Sequence, residues 1–358
     1  MKLKQLISVL FSVSFLFLIS CEKEIVFKGD EIKPMLVVNG LVVSGDTVTV
    51  RLSESRSKIE DRHISSVIAN AKVDLYVDDV YAETLTPVKE MVYGSDVPLE
   101  LGKYKATVLG EAGKTYRLEI LADGFNTVRC ETTVPDPVEI LAWDSTTVFN
   151  TDSYGSSGRS EFSLEFDDNG QQHNYYQLQS KSIQGQEMLG HMPDGTIIHS
   201  DTVLIRPQQY ESVEILNTQL NDAINEADEL ITGTPDNRFA IFNDDSFNGE
   251  KMKLRFVPGY NYYTYYGNIS YDNSASFRIR DIYLYSLTEE YYNYLNTANL
   301  HFWFDEDFFS EPVQVYSNIN GGIGIWGSAN YASFSILEGI YPMDDKIYVE
   351  DGYSYGYY

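Results

Sequence analysis

Few residues in this chain are spaced for chemistry, and the most suggestive are glycines. Gly321-Gly322-Ile323-Gly324-Ile325-Trp326-Gly327 contains a formal G-x-G-x-x-G from Gly322 to Gly327. Such a run binds a dinucleotide only when a strand precedes it and a helix follows, because the pyrophosphate sits on the helix N-terminus. Pro312 to Tyr316 could supply the strand. Ser328 to Ile336, however, alternates like a second strand, so the helix is missing. The glycines are read instead as permitting a bulged, tightly turning segment that presents Ile323, Ile325 and Trp326.

A second candidate, Asp244-Asp245-Ser246-Phe247-Asn248-Gly249, begins like a calcium loop, with Asp244, Ser246, Asn248 and Gly249 in order. Its twelfth position is Arg255, where a bidentate Glu is required, so the segment is read as a strand connection. The five histidines, at 63, 173, 191, 199 and 301, fit no standard ligand spacing; His191 and His199 share a segment but lie eight apart. There is no H-E-x-x-H, C-x-x-C pair, G-x-S-x-G or Walker loop, and acidic side chains are too common for one pair to stand out as acid and base. The expectation is a non-enzyme with no cofactor and no metal. The better binding candidate is Gly259-Tyr260-Asn261-Tyr262-Tyr263-Thr264-Tyr265-Tyr266-Gly267. Tyrosines offer flat apolar faces with a polar tip, which suits a glycan or peptide ligand. Packing of the same rings on their own sandwich is the alternative.

The N-terminus sets the compartment. Lys2 and Lys4 precede an apolar run from Leu6 to Ile19, broken only by Ser8, Ser12 and Ser14. That length suits a signal peptide core and is short for a membrane span. It ends at Leu18-Ile19-Ser20-Cys21, which resembles a bacterial lipobox with Cys21 as the acylated residue. Several acyl chains on one cysteine anchor a protein stably. The charged Glu22-Lys23-Glu24 resembles the tag of surface-exported lipoproteins, so an outer-membrane, cell-surface location is expected, with the periplasmic face as the alternative.

Removal of residues 1–20 takes away Lys2 and Lys4, leaving 24 basic against 53 acidic side chains, a balance of −29. A surface that acidic repels phosphate backbones and argues against a nucleic-acid partner. Cys130 would then be the only cysteine besides Cys21, and its place in an alternating stretch marks it as a small buried residue.

The elements that must position these residues are strands. The composition includes 28 Tyr, 18 Phe and 3 Trp, which favour half-buried pleated strands. Residues 35–43 and 47–52 flank a turn at Ser44-Gly45-Asp46; 71–77, 103–108 and 116–121 alternate, and a last strand runs up to Pro135. The pattern from Gly102-Lys103-Tyr104 to Gly113-Lys114-Thr115-Tyr116 and Ala122-Asp123-Gly124-Phe125 resembles a transthyretin-like or carboxypeptidase-regulatory sandwich. Pro135-Asp136-Pro137 reads as a linker. Phe162 to Phe166 and Tyr175 to Gln179 look paired around Asp167-Asp168-Asn169-Gly170, as in fibronectin- or immunoglobulin-like modules. Ser286 with Glu289 makes a capping box that starts a helix, with Leu287, Tyr291 and Leu295 on one face. The expected fold is mainly β. It comprises a signal peptide (1–20), a lipidated tether (21–33) and a first β-sandwich (34–135). A second β-sandwich (136–340) follows, with an insertion at about 185–260, weakly helical over 217–230, and a helix at about 287–297. A Tyr-rich tail (341–358) ends the chain.

In order along the chain, C-E-K-E-I, P-M-L-V-V-N-G, F-N-D-D-S-F-N-G, L-Y-S-L-T-E-E-Y-Y-N-Y-L and E-P-V-Q-V-Y-S-N-I-N-G-G-I-G-I-W-G complete the picture. Together they resemble an uncharacterised Bacteroidota outer-membrane lipoprotein family, a domain of unknown function. Its members are often encoded beside SusC-like TonB-dependent transporters. The resemblance implies no catalytic residues. It implies a non-catalytic accessory or ligand-capturing component of a TonB-dependent import system, held to the membrane through Cys21. The expected contact surfaces are Tyr260, Tyr262, Tyr263, Tyr265, Tyr266, Ile325 and Trp326. A surface glycan or peptide hydrolase and a structural adhesion or assembly lipoprotein are the competing classes.

Overall fold

A computed structural model describes residues 33–56, 67–90, 97–152, 155–191, 197–220, 236–259, 276–304, 313–339 and 347–350. The expected signal peptide, Cys21, the tyrosines of 260–266 and the end of the expected tail from 351 lie outside the described residues. From Met35 on, the chain forms one compact unit. No helix among the described residues is long and apolar enough to cross a membrane.

The fold is mainly β, as its alternating sequence requires. The first half contributes β1 (Leu36–Val43), β2 (Thr47–Glu54), β3 (Ala71–Val77), β4 (Val80–Thr84), β5 (Thr86–Glu90), β6 (Leu99–Leu109), β7 (Thr115–Ala122) and β8 (Val128–Thr133). Beyond the prolines come β9 (Ile140–Asp152), β10 (Gly155–Asp167), β11 (Tyr175–His191), β12 (Ile197–Glu211), β13 (Val213–Ile215), β14 (Ile241–Asn243) and β15 (Lys251–Pro258). The last elements are β16 (Ser276–Leu287), the helix α1 (Glu289–Phe304), β17 (Ile323–Gly339) and β18 (Ile347–Glu350).

These strands make three sheets. A long sheet runs β18-β12-β11-β16-β17-β1-β2-β6-β5, with β14 added beside β11. The sheet β4-β3-β7-β8 covers one end of it, and Leu36, Val38, Leu52, Leu118, Ile120 and Trp326 fill the space between. The sheet β13-β15-β10-β9 accompanies the other end over Phe166, Tyr176, Leu178, Phe242, Leu254 and Ile282. Two sandwich cores therefore exist, but they share a sheet and do not divide into separate bodies at 135–137. The reason is the parallel pairing of β17 with β1, which carries the long sheet across from one core to the other.

Several local expectations need correction. The described residues of 185–259 are built into the sheets: β12 and β11 form a long hairpin in the main sheet, and β13, β14 and β15 are sheet strands as well. Within 217–230 the described residues hold a single 3-10 turn, Thr218–Leu220. Strands β10 and β11 do not pair with each other; they belong to different sheets and meet through Phe166 and Tyr176, whose rings lie 5.1 Å apart in the second core. Alternation reveals a strand but not its partner. The expected tail supplies β18, parallel to β12. Val313 to Tyr316 is not a strand.

The glycine run is explained by close approach. Gly324 has φ +112°, and a Cβ there would lie 2.1 Å from the Val38 carbonyl oxygen of the parallel neighbour. At Gly327 a Cβ would come 2.7 Å from Tyr291 on α1. Gly321 and Gly322 make a turn, with φ +86° at Gly321, and from Ile323 on the segment is a strand in continuous register with β1 rather than a bulge. Trp326 is fully buried, so the expectation of an exposed contact residue is overturned. Its indole occupies the space left by Gly40, where a Cβ would meet the ring at 2.5 Å, and its Nε1 donates to the Tyr116 carbonyl at 2.9 Å.

Replacing a fully buried Trp leaves a large cavity, and the orphaned Tyr116 carbonyl adds its own cost. Trp326→Ala should destabilise the protein by about 3–5 kcal/mol in urea denaturation. A change of stability within about 0.5 kcal/mol, as for a surface residue, would contradict this placement.

Candidate functional site

The helix α1 begins where Thr288 caps it. Thr288 follows the last residue of β16, its carbonyl accepts from the Tyr292 amide at 3.0 Å, and its hydroxyl reaches the backbone of Ser328 at 3.4 Å. The expected cap, Ser286, is still in β16. Glu289 and Glu290 occupy the first turn, where the helix dipole favours negative charge. Tyr292, Leu295, Ala298 and Asn299 are buried. Because Gly327 has no side chain, the first turn lies directly on β17, and this brings Tyr291 and Tyr294 over the neighbouring strands.

Those two tyrosines help line a pocket of about 380 Å³ whose other residues are Asn39, Gly40, Leu41, Thr49, Val50, Arg51, Lys103 and Ile325. The register shows how it is built. Ile325 pairs with Asn39, Asn39 with Arg51, and Arg51 with Lys103, forming one lateral row across β17, β1, β2 and β6. Successive strand residues point to opposite faces, so Ile325 is on the pocket side while Trp326 enters the first core. Of the two described residues expected at a contact surface, Ile325 lines this site and Trp326 does not.

The pocket offers binding groups of three kinds. Tyr291 and Tyr294 stack with ring centroids 6.4 Å apart and planes 17° from parallel. Burial, and secondarily Tyr294, pushes the Tyr291 phenol up to about 12, and burial raises Tyr294 too, so both keep their protons at neutral pH and can donate or accept. Asn39 and Thr49 add an amide and a hydroxyl. Arg51 and Lys103 add positive charge, held by Glu90 at 2.9 Å and 2.8 Å. These are binding groups; among the described residues the lining contains no carboxylate and no nucleophile–base pair.

More tyrosines continue from this corner. Tyr285 and Tyr331 belong to the same cluster as Tyr291 and Tyr294, and Tyr283, Tyr285 and Tyr331 stand 5.3–6.0 Å apart. Lys181 lies over the rings of Tyr283 and Tyr210 at 4.6 Å and 4.9 Å, and Tyr210 is 74% exposed. Sequence reading missed this surface. Its tyrosines are interspersed with other residues on β12, β16 and β17, whereas the 260–266 run is conspicuous because it is nearly contiguous.

Residues 22–335 match the family described as a domain of unknown function, DUF4249. The chain belongs to this family. A comparison with curated proteins gives no match. The DUF4249 match includes every strand up to β16, the helix and most of β17, and therefore every residue of the pocket. Cys130 is a free thiol buried in the first core, and burial pushes it up to about 12, which makes it inert at neutral pH.

Hydrogen bonds from Lys103 hold the Glu90 carboxyl below its ordinary value; burial works against this and Arg51 adds to it. A depressed folded pKa gives stability that is present above the unfolded value of 4.5 and is lost as pH falls through the folded one. Glu90→Gln should therefore cost up to about 1 kcal/mol per lost pair at neutral pH, with the difference from wild type shrinking on acidification below pH 4.5. Urea titrations of both proteins across that range check this. A difference that grows in acid would refute it.

Proposed function

We propose that this DUF4249 protein is a lipoprotein anchored in the outer membrane through Cys21. In this reading it is a non-catalytic component of an import system that captures a glycan or peptide for a SusC-like TonB-dependent transporter. The observation that carries the reading is the pocket. Two stacked tyrosines stand over a polar row of Asn39, Arg51 and Lys103, a combination of flat apolar faces and convergent polar groups that suits such ligands. The lipobox ending at Cys21 supports the anchor. The link to a transporter rests on the family resemblance alone. Tethering in one membrane keeps the two proteins at high effective concentration, so a weak contact is sufficient.

Full-length protein purified in detergent can be applied to immobilised oligosaccharide and peptide arrays. The double variant Tyr291→Ser/Tyr294→Ser should lose at least about tenfold in affinity for whichever array class wild type retains, corresponding to the loss of about 1.4 kcal/mol or more. Retention of wild-type affinity would remove the pocket from the proposal. Release of cleaved array products would favour the hydrolase. Absence of array binding together with stable attachment to other surface proteins would favour the adhesion or assembly class. For the anchor, Cys21→Ala should abolish labelling by a fatty-acid probe, and labelling that persists would sink that part.

A further inference from the structure

A second constellation lies away from the pocket, where the turn after β14 meets the chain entering β11. The two loops touch through backbone: a Cβ at Gly170 would be 2.7 Å from the Gly249 Cα. Asp168 fastens them together. It accepts from the Gly249 amide at 2.8 Å and from the Tyr176 hydroxyl at 2.5 Å, so both its oxygens are engaged. This contact sets His173, 71 residues before Asp244 in sequence, beside Asp244 and Asp245.

Asp244 is fully buried. Its Oδ2 accepts from the amide and the side-chain Nδ2 of Asn174, at 2.9 Å and 3.1 Å. Its Oδ1 has no hydrogen-bond partner. His173 Nδ1 lies 2.5 Å from that oxygen, a contact of charge range that forms no hydrogen bond. Asp245 shows the same division: Oδ2 accepts from Asn243 Nδ2 at 2.7 Å, while Oδ1 faces His173 Nε2 at 3.5 Å. One ligand atom from each of the three residues falls within 4.8 Å of the others. A wholly buried carboxylate oxygen that has a charge contact but no hydrogen bond is costly. Here it points at an imidazole and a second carboxylate, each carboxylate held by an asparagine amide. Outer partners of that kind are what fix the direction of metal ligands.

We infer that His173, Asp244 and Asp245 form a binding site for a divalent transition metal, of which Zn²⁺ is the best fit. One imidazole nitrogen with two carboxylate oxygens suits Zn²⁺ or Mn²⁺ and disfavours Ca²⁺, which takes oxygen ligands in larger number. Bonds of about 2.0–2.2 Å place tetrahedral donors roughly 3.3 Å apart. His173 must therefore move back from Asp244 by about 1 Å on binding. Its side chain is 40% exposed and that of Asp245 is 68% exposed, so both can adjust while Asp244 stays fixed. Three protein ligands leave the fourth position to water or a ligand. The partly exposed side of the cluster admits either.

The site also meets the helix. The Tyr175 ring lies 4.9 Å from His173 and 4.9 Å from Tyr292 of α1. A metal that fixes His173 would thus brace the underside of the element that carries Tyr291 and Tyr294. The metal site is argued from its own residues and does not depend on the proposed ligand capture.

The test uses full-length protein without a polyhistidine tag, purified in detergent and stripped with a chelator. Titration with ZnCl₂ in moderate salt should show one saturable site and a rise in Tm. His173→Ala and Asp245→Asn, both at exposed side chains, should leave the metal-free fold intact and weaken Zn²⁺ binding by at least about tenfold. Hydrogen exchange in 168–174 and 243–249 should slow when Zn²⁺ is added to wild type and not to the variants. Three results would overturn the inference: no saturable binding of Zn²⁺ or Mn²⁺, binding that survives both substitutions, or Ca²⁺ binding of equal strength that survives His173→Ala. Asp244→Asn is not decisive, since it disturbs a buried carboxylate that also holds Asn174.

Discussion

The seating of Trp326 is the constraint on which the rest of the architecture depends. Its indole belongs to β17, its cavity to Gly40 of β1, and its hydrogen-bond acceptor to Tyr116 of β7 in the opposing sheet. With Ile319, this side chain from the C-terminal part of the chain completes a core otherwise made by residues between Leu36 and Val134. Around it, Ser328 donates to the Thr133 carbonyl at 2.8 Å and shares a hydrogen bond with the Thr132 hydroxyl, while Asn330 Nδ2 donates to the Pro135 carbonyl at 3.0 Å. The backbone of Asn320 pairs with that of Arg129. These contacts span nearly two hundred residues, so their loop-closure entropy must be met before they contribute, which favours slow folding.

From that anchor the geometry of the pocket follows. The parallel register that puts Trp326 opposite Gly40 also puts Ile325 opposite Asn39, and from there the row continues to Arg51 and Lys103. One residue further along β17, Gly327 lets α1 approach closely enough for Tyr291 and Tyr294 to close the pocket. Shifting β17 by one residue would turn Trp326 outward and Ile325 inward, since strand side chains alternate with a period of two. Core and pocket are therefore specified by the same register. A buried ion pair supports the sheet further along: Arg280 of β16 reaches Glu211 of β12 and Glu338 of β17, each at 2.7 Å. Burial alone would raise the Glu211 carboxyl. The guanidinium more than offsets this and holds it below the ordinary value.

Much of the local structure was legible in the sequence because it depends on local chemistry. Strands β1, β2, β3 and β7 match the alternation in their residues, and Gly45 takes its expected place in the turn between β1 and β2 with φ +83°. The helix was legible too, although a Ser-Leu-Thr run offers two caps and the chain uses Thr288. What alternation cannot show is the partner of each strand. Phe162–Phe166 and Tyr175–Gln179 read equally well as a hairpin or as facing strands of two sheets, and packing of Phe166 on Tyr176 decides for the second. The glycine run carried a real signal of close backbone approach, but its object was Val38 and Tyr291 rather than a phosphate. Most of the site was invisible for the same reason. The pocket takes residues from four strands and a helix, and His173 is 71 residues from Asp244, so no spacing rule could join them. The abortive calcium loop at Asp244 was the one legible trace.

The charge distribution then separates the two proposed sites by the ligands that would suit each. Residues 21–358 carry 29 more acidic than basic groups, and that field repels anions while raising the local concentration of cations. At the pocket, Arg51 and Lys103 are a local exception, but Glu90 already balances them, so a polyanion gains little there against the repulsion of the rest of the surface. A neutral glycan or a peptide of low charge meets no such penalty and gains from the faces of Tyr291 and Tyr294. At the loop cluster the field works in the other direction. It favours a divalent cation before any ligand bond forms, and it also favours every other exposed carboxylate as a weak competitor. Selectivity there must come from the imidazole of His173 and from the fixed oxygen of Asp244, because field strength alone cannot tell one cation from another.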